Sequence, residues 1–178
     1  VILGAVVYSV AGQISSQMSQ SAIDNLSESL GLLRGTMQAI LQKEAEFQKL
    51  ISQELALMEN PENLILSYNS NKTMIRISLV PSGQAVGISN NGEDFSAESL
   101  DFSAGMEVDG LPLSGSYLNE MGTWAYTLSC PVVKDGTETA TLYIEYIYDS
   151  FDEALPPKFY NNNATLYVMD AKSERFVL

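Results

Sequence analysis

The sequence predicts an α+β fold, with a long amino-terminal helix packed on an antiparallel sheet of about five strands. Three observations carry this. Apolar residues step by three and four from Ile23 to Met58, residues 74–80 alternate apolar and polar, and two long alternating runs flank an Asp135-Gly136 pair.

The helical seam reads Ile23, Leu26, Leu30, Leu33, Met37 and Ile40, then Phe47, Ile51 and Met58, with Gln, Ser, Lys and Glu on the other faces. Glu44 and Glu54 fall on the same seam and interrupt it. No proline appears before Pro61, and only Gly31 and Gly35 lower helix propensity appreciably in the middle. One helix of about 45 to 58 residues fits. Its seam either packs on the chain's own sheet or pairs with a second copy, and each reading suits part of its length.

Residues 1–12 are apolar and uncharged. As a helix they would rise about 18 Å, short of the roughly 30 Å hydrocarbon core that about 20 residues span. The expectation is the outer end of a truncated transmembrane segment over residues 1–14, with a signal-peptide stretch or a buried core helix as rivals. The first charges are Asp24 and Glu28, and no basic residue occurs before Arg34, so this flank is expected outside the cytoplasm.

Beyond Pro61 a short helical turn runs through Leu64 and Tyr68. Residues 74–80 form the first strand, with Ile75, Ile77 and Leu79 on one face and Arg76 and Ser78 on the other, turning at 81–83 into a strand ending near Ser89. Residues 90–116 read as a long loop or short helix over the sheet, carrying Phe95, Leu100, Phe102 and Met106. The hairpin of residues 123–134 and 137–148 follows. Residues 149–155 read as a helical turn, and 164–170 and 175–178 as further strands.

Composition narrows the function. A formal charge of −13 repels phosphate backbones, so no nucleic-acid partner is expected. The absence of histidine removes the usual general base and the commonest transition-metal ligand. Cys130 is the only cysteine and belongs to the apolar run Trp124, Tyr126, Leu128, Cys130, Val132, which makes it a core residue. No paired carboxylates, phosphate loop or metal motif stand out. The expectation is no enzyme, no catalytic residue, no cofactor and no metal.

A long helix, a hairpin around residues 81–83, a covering loop and a long hairpin holding Gly122-Thr-Trp-Ala-Tyr126, Pro131-Val132 and Leu142-Tyr143 together resemble the Cache family. The resemblance implies an extracytoplasmic sensor domain with a PAS-like sheet. The strand ending Tyr167-Val-Met-Asp170, followed by Ser173-Glu-Arg-Phe176, looks like the opening of a second sheet module, which implies the membrane-distal module of a double-Cache bacterial receptor. It further implies a cell-membrane location with this part outside, an unidentified small-molecule ligand, and a homodimer formed through the long helix. Amino-acid-binding members carry an arginine two residues before the tryptophan, and Gly122 stands there instead.

The resulting division is residues 1–14 membrane segment, 15–60 signalling and dimerisation helix, 61–160 sheet module, and 161–178 the start of a second module or terminal strands. Strand alternation sends one face of the sheet to the helix and the other beneath the 90–116 segment, without fixing which is which. Trp124, Tyr126, Tyr117 and Tyr143 are candidates to stack on a ligand, with Arg76 and Glu145 supplying charge; an aromatic set beside a carboxylate suits an amine. The aromatic residues serve equally as plain core, and Arg76 and Glu145 as partners of each other. A pilin-like structural subunit is the alternative, although Ala5 stands where pilins carry an acidic residue.

Overall fold

The computed structural model describes residues 4–8, 20–149, 151, 165–170 and 175–176, with side chains from 27 to 149 and at 151. Helix α1 spans Gln20–Leu57, a continuous rod of 38 residues and about 57 Å at 1.5 Å per residue. Residues 13–19 of the expected rod lie outside the described residues. Gly31 and Gly35 are exposed on α1, so neither leaves a hole in the core. The rod ends where the N–H of Met58 closes onto the Leu55 carbonyl at 3.2 Å and Pro61 begins the short helix α2, Pro61–Ser67.

Eleven strands complete the described chain: β1 Gly4–Tyr8, β2 Met74–Pro81, β3 Gly87–Ser89, β4 Asp94–Phe95, β5 Met106–Val108, β6 Leu111–Leu113, β7 Tyr117–Leu118, β8 Trp124–Lys134, β9 Thr137–Ile147, β10 Thr165–Asp170 and β11 Arg175–Phe176. The main sheet is antiparallel and eight-stranded, in the order β4, β3, β2, β9, β8, β6, β5, with β7 also on β8. Its trunk is the expected trio β2, β9 and β8. The surplus over five strands comes from the 90–118 segment, which lays short strands along the sheet instead of a plain loop. Asp109 and Gly110, both at positive φ, turn β5 into β6 by the two-residue geometry that Asp135 and Gly136 use between β8 and β9.

A separate three-stranded sheet has the order β1, β10, β11. The expected strands at 165–170 and 175–176 are thus present, outside the main sheet. Gly4–Tyr8 is a strand where a helix was expected; its Val6 and Val7 have high β-propensity and pair with Tyr167 and Leu166. No described helix is long and apolar enough to cross a membrane. Asp149 and Phe151 are helical, as the expected turn requires, and the rest of that turn lies outside the described residues.

The core lies between α1 and one face of the sheet, where Leu33, Met37, Leu41, Ala45, Ile51 and Leu55 meet Ile77, Leu79, Leu128, Leu142 and Ile144. Phe47 and Met58, placed on the seam from sequence, are largely exposed, and Leu41, Ala45 and Leu55 take the buried stripe. Glu44 does reach the buried side, whereas Glu54 is exposed. A bulge in β2 sets Met74 opposite Tyr146 and Arg76 opposite Glu145. Met74 therefore enters the core in place of Ile75, which turns to the rim of the opposite face.

Candidate ligand-binding site

Alternation along β8 and β9 divides the six candidate residues between two faces. Trp124 and Tyr126 point with Leu128 and Cys130 toward α1. Tyr126 is 1% exposed and stacks on Tyr146 at 5.7 Å, while its hydroxyl donates to Glu44 Oε2 at 2.6 Å. Trp124 packs half-buried against the same core. Arg76, Tyr117, Tyr143 and Glu145 lie on the opposite face, beneath the 90–118 segment, and there the structure brings them together.

Arg76 and Glu145 are cross-strand neighbours, and the Arg76 Nη2 to Glu145 Oε2 distance is 2.7 Å. Glu145 is only 4% exposed, so its charge depends on partners; Asn119 Nδ2 donates to its other oxygen at 3.0 Å. Burial alone would lower the Arg76 pKa, but the Glu145 carboxylate outweighs it and holds the guanidinium above its ordinary value. The Arg76 guanidinium lies 5.4 Å from the centroid of the Phe95 ring, and Glu120 approaches it at 3.4 Å from the surface. Its Nε is buried and has no hydrogen-bond partner among the described residues. Burial and the nearby Glu145 charge push the Tyr117 phenol up, so it stays protonated; its hydroxyl shares a 2.7 Å bond with Thr127. Tyr143 is covered by Phe95 and Phe102, with ring centroids at 5.3 and 6.3 Å.

A cleft of about 340 Å³ opens beside this cluster, with Arg76, Glu145, Asn119, Asn90, Glu93 and Glu120 on its walls. Its polar inventory is one guanidinium, three carboxylates, three amides (Asn90, Asn91 and Asn119) and the Ser70 hydroxyl, complementary to a small molecule bearing both an acid and an amine. Asn119 and Asn90 are residues that sequence reasoning missed. Each also has a backbone role: Asn119 Oδ1 holds a turn by accepting the N–H groups of Met121 and Thr123, and Asn90 Oδ1 accepts the N–H of Ile77 on β2. The run Asn119-Glu-Met-Gly122 was the available signal, an Asx turn ending in a glycine. Gly122 has φ 73°, so the departure from the arginine pattern sits at a backbone conformation that disfavours any other side chain. Among the described residues no three thiol or carboxylate groups gather as a metal cage.

No family model and no curated protein sequence matches the chain. Solved structures do. The ligand-binding domain of the Pseudomonas aeruginosa PAO1 amino acid chemoreceptor PctC, in complex with GABA, superposes with a TM-score of 0.59 at 13% identity, over 73% of this chain and 63% of that one. The fold is that of a chemoreceptor sensory domain. The sensory domain of the Campylobacter jejuni chemoreceptor Tlp3 with isoleucine bound gives 0.58 at 13% identity over 76% and 63% of the two chains. The ligand-binding domain of Tlp3 in complex with L-valine gives 0.55 at 13% over 76% and 64%. The chain thus spans just under two thirds of the length of these domains, and the likeness is one of fold. The expected PAS-like sheet backed by a long helix is borne out at that level.

Proposed function

We propose that the chain is the extracytoplasmic sensing part of a bacterial transmembrane receptor and binds a small zwitterion or amine in the cleft beside Arg76 and Glu145. The observation that carries this is the Arg76–Glu145 pair, its carboxylate buried and its guanidinium Nε without a partner among the described residues, under a segment that roofs the sheet. A ligand carboxylate would satisfy Arg76, and a ligand ammonium would meet Glu145, Glu120 or Glu93. The solved neighbours hold GABA, isoleucine and L-valine, which are molecules of that chemistry. Tyr117 and Tyr143 share the sheet face with this cleft without lining it, whereas Trp124 and Tyr126 serve the core behind it.

In this reading the domain binds and performs no reaction. The Gly4–Tyr8 strand shares a sheet with the 165–176 strands, which begin a second module, and two copies associate through α1. The pilin-like alternative needs one apolar helix from the amino end, and the strand at Gly4–Tyr8 does not favour it.

Calorimetric titration with GABA, isoleucine, valine and a wider set of small amines and amino acids tests the proposal. Saturable binding is expected for at least one, weakened about tenfold or more in Arg76→Gln/Glu145→Gln, which removes both charges together and leaves neither buried alone. Binding that the double variant leaves intact would place the ligand elsewhere and overturn the assignment.

A further inference from the structure

The other face of the sheet carries a second cleft, of about 280 Å³, between α1 and the start of β2, walled by Ile40, Lys43, Glu44, Phe47, Met74 and Tyr146. Its polar chemistry is one-sided. The hydroxyl and N–H of Thr73 and the N–H of Met74 all donate to Asn71 Oδ1, at 2.9, 2.9 and 2.8 Å, so those three donors are already engaged and the Asn71 amide NH2 is the neutral donor of that rim. What the wall offers a ligand is the Glu44 carboxylate and two aromatic rings, beside the Asn71 amide and the Lys43 ammonium. Glu44 Oε2 takes the Tyr126 hydroxyl, which uses one of about four acceptor positions of a carboxylate. No ion pair engages Glu44 among the described residues. Phe47, one turn further along α1, is 41% exposed, an unusual situation for a phenylalanine beside a cavity and a carboxylate.

We propose that this cleft is a second binding site, selective for a small organic ammonium ion, with Glu44 as counter-ion and Phe47 and Tyr146 as the aromatic wall. A carboxylate beside aromatic faces is the combination that favours a cation over a neutral molecule, and the overall charge of −13 adds a field of the same sense. Lys43 is the one cation in the wall. It is exposed on a flexible stem and competes with the ligand for Glu44.

The site is proton-linked. Burial raises the Glu44 pKa to about 7, against the lowering effects of the Tyr126 hydrogen bond and Lys43. The groups facing it are Tyr126 from β8, with Tyr148 beside that ring, Tyr146 from β9, and Lys43 from α1; the 71–74 segment adds one cation, Lys72, whose side chain is not part of the cleft wall. Burial pushes the Tyr126 and Tyr146 phenols up, so both stay protonated near neutral pH and the titrating group of the cleft is Glu44. A cation that selects the ionised carboxylate then binds about tenfold more tightly at pH 8 than at pH 6.

Tetramethylammonium is the probe, because its charge does not change with pH. Backbone amide NMR titration against sodium at matched ionic strength should give saturable shifts confined to Ile40, Phe47 and Thr73. Glu44→Gln, which still accepts the Tyr126 hydroxyl, should abolish both the binding and its pH dependence, while Lys43→Gln should strengthen it. No saturable shift, or affinity unchanged in Glu44→Gln, would overturn the proposal. The zwitterion cleft lies on the opposite face, so the variants separate the two sites: Arg76→Gln/Glu145→Gln should leave the tetramethylammonium shifts unchanged, and Glu44→Gln should leave amino-acid binding unchanged.

Discussion

Glu44 is a carboxyl group in the wrong medium: its helix carries it to the sheet side, between an aromatic cluster and the start of β2, where ionisation is costly. The folded pKa of about 7 stands above the ordinary 4.5, so the folded state holds the proton longer than the unfolded chain does. Stability is therefore expected to fall as pH rises from about 4.5 to about 7, by roughly 2–3 kcal/mol at most. Urea unfolding of the chain and of Glu44→Gln across that window checks it. The difference between the two curves isolates this residue from the other carboxylates, and parallel curves would mean that Glu44 ionises as freely folded as unfolded. The residue scale is also where sequence reading met its clearest limit. Alternation placed Trp124 and Tyr126 together on one face and Tyr143 and Glu145 together on another, but a period of two has no preferred sign. Only the contacts of Glu44 with Tyr126 and of Arg76 with Glu145 decide which face is core.

At the scale of elements, the buried stripe of α1 is pinned by three polar residues spaced at four. Glu44 receives the Tyr126 hydroxyl, the fully buried Gln48 donates from Nε2 to the carbonyls of Leu128 and Leu142 at 2.8 and 2.9 Å, and Ser52 donates to the Pro131 carbonyl at 2.7 Å. Apolar periodicity registers such residues as breaks in a seam, and for that reason the helix was legible in the sequence and its docking was not. Gly87 makes a sharper case. A Cβ there would meet the Leu79 carbonyl oxygen at 1.9 Å and the Val80 Cα at 2.6 Å, both backbone atoms that cannot swing aside. Gly87→Ala is expected to cost roughly 2–4 kcal/mol by forcing β3 off β2. Thermal unfolding measures it, and a variant as stable as the parent would refute the close approach. The two Asp-Gly turns show what local sequence does carry. Asp135-Gly136 was readable because long alternating strands flank it, whereas Asp109-Gly110 performs the same turn between strands of three residues, too short to show a period. The β2 bulge that exchanges Ile75 for Met74 left no mark in the alternation at all.

At the scale of the whole molecule, the polar stripe bears on how α1 transmits anything. Sliding it by one residue would strand Gln48 and Ser52 in the core without partners, at a cost of roughly 1–3 kcal/mol each, so helix and sheet are expected to move together as one body. A signal then has to pass through what the outer face of α1 touches. That face carries an interleaved heptad: Thr36, Lys43, Leu50 and Leu57 in one row, Leu32, Ala39, Glu46 and Gln53 in the other. Leu50 and Leu57 are 63% and 86% exposed, and Leu32 is 61% exposed, a costly way to leave three leucines of one stripe in a monomer. Lys43, Glu46 and Gln53 dilute the seam, so the pairing of two copies is expected to be weak and concentration-dependent, strongest near the Leu50–Leu57 end. Sedimentation equilibrium should find a reversible dimer whose Kd rises at least about tenfold in Leu50→Glu/Leu57→Glu, substitutions at exposed positions that leave the fold intact. A chain that sediments as a monomer at every concentration, or a dimer indifferent to both glutamates, would remove α1 as the contact between copies and with it the route by which a ligand under the 90–118 segment is felt beyond this domain.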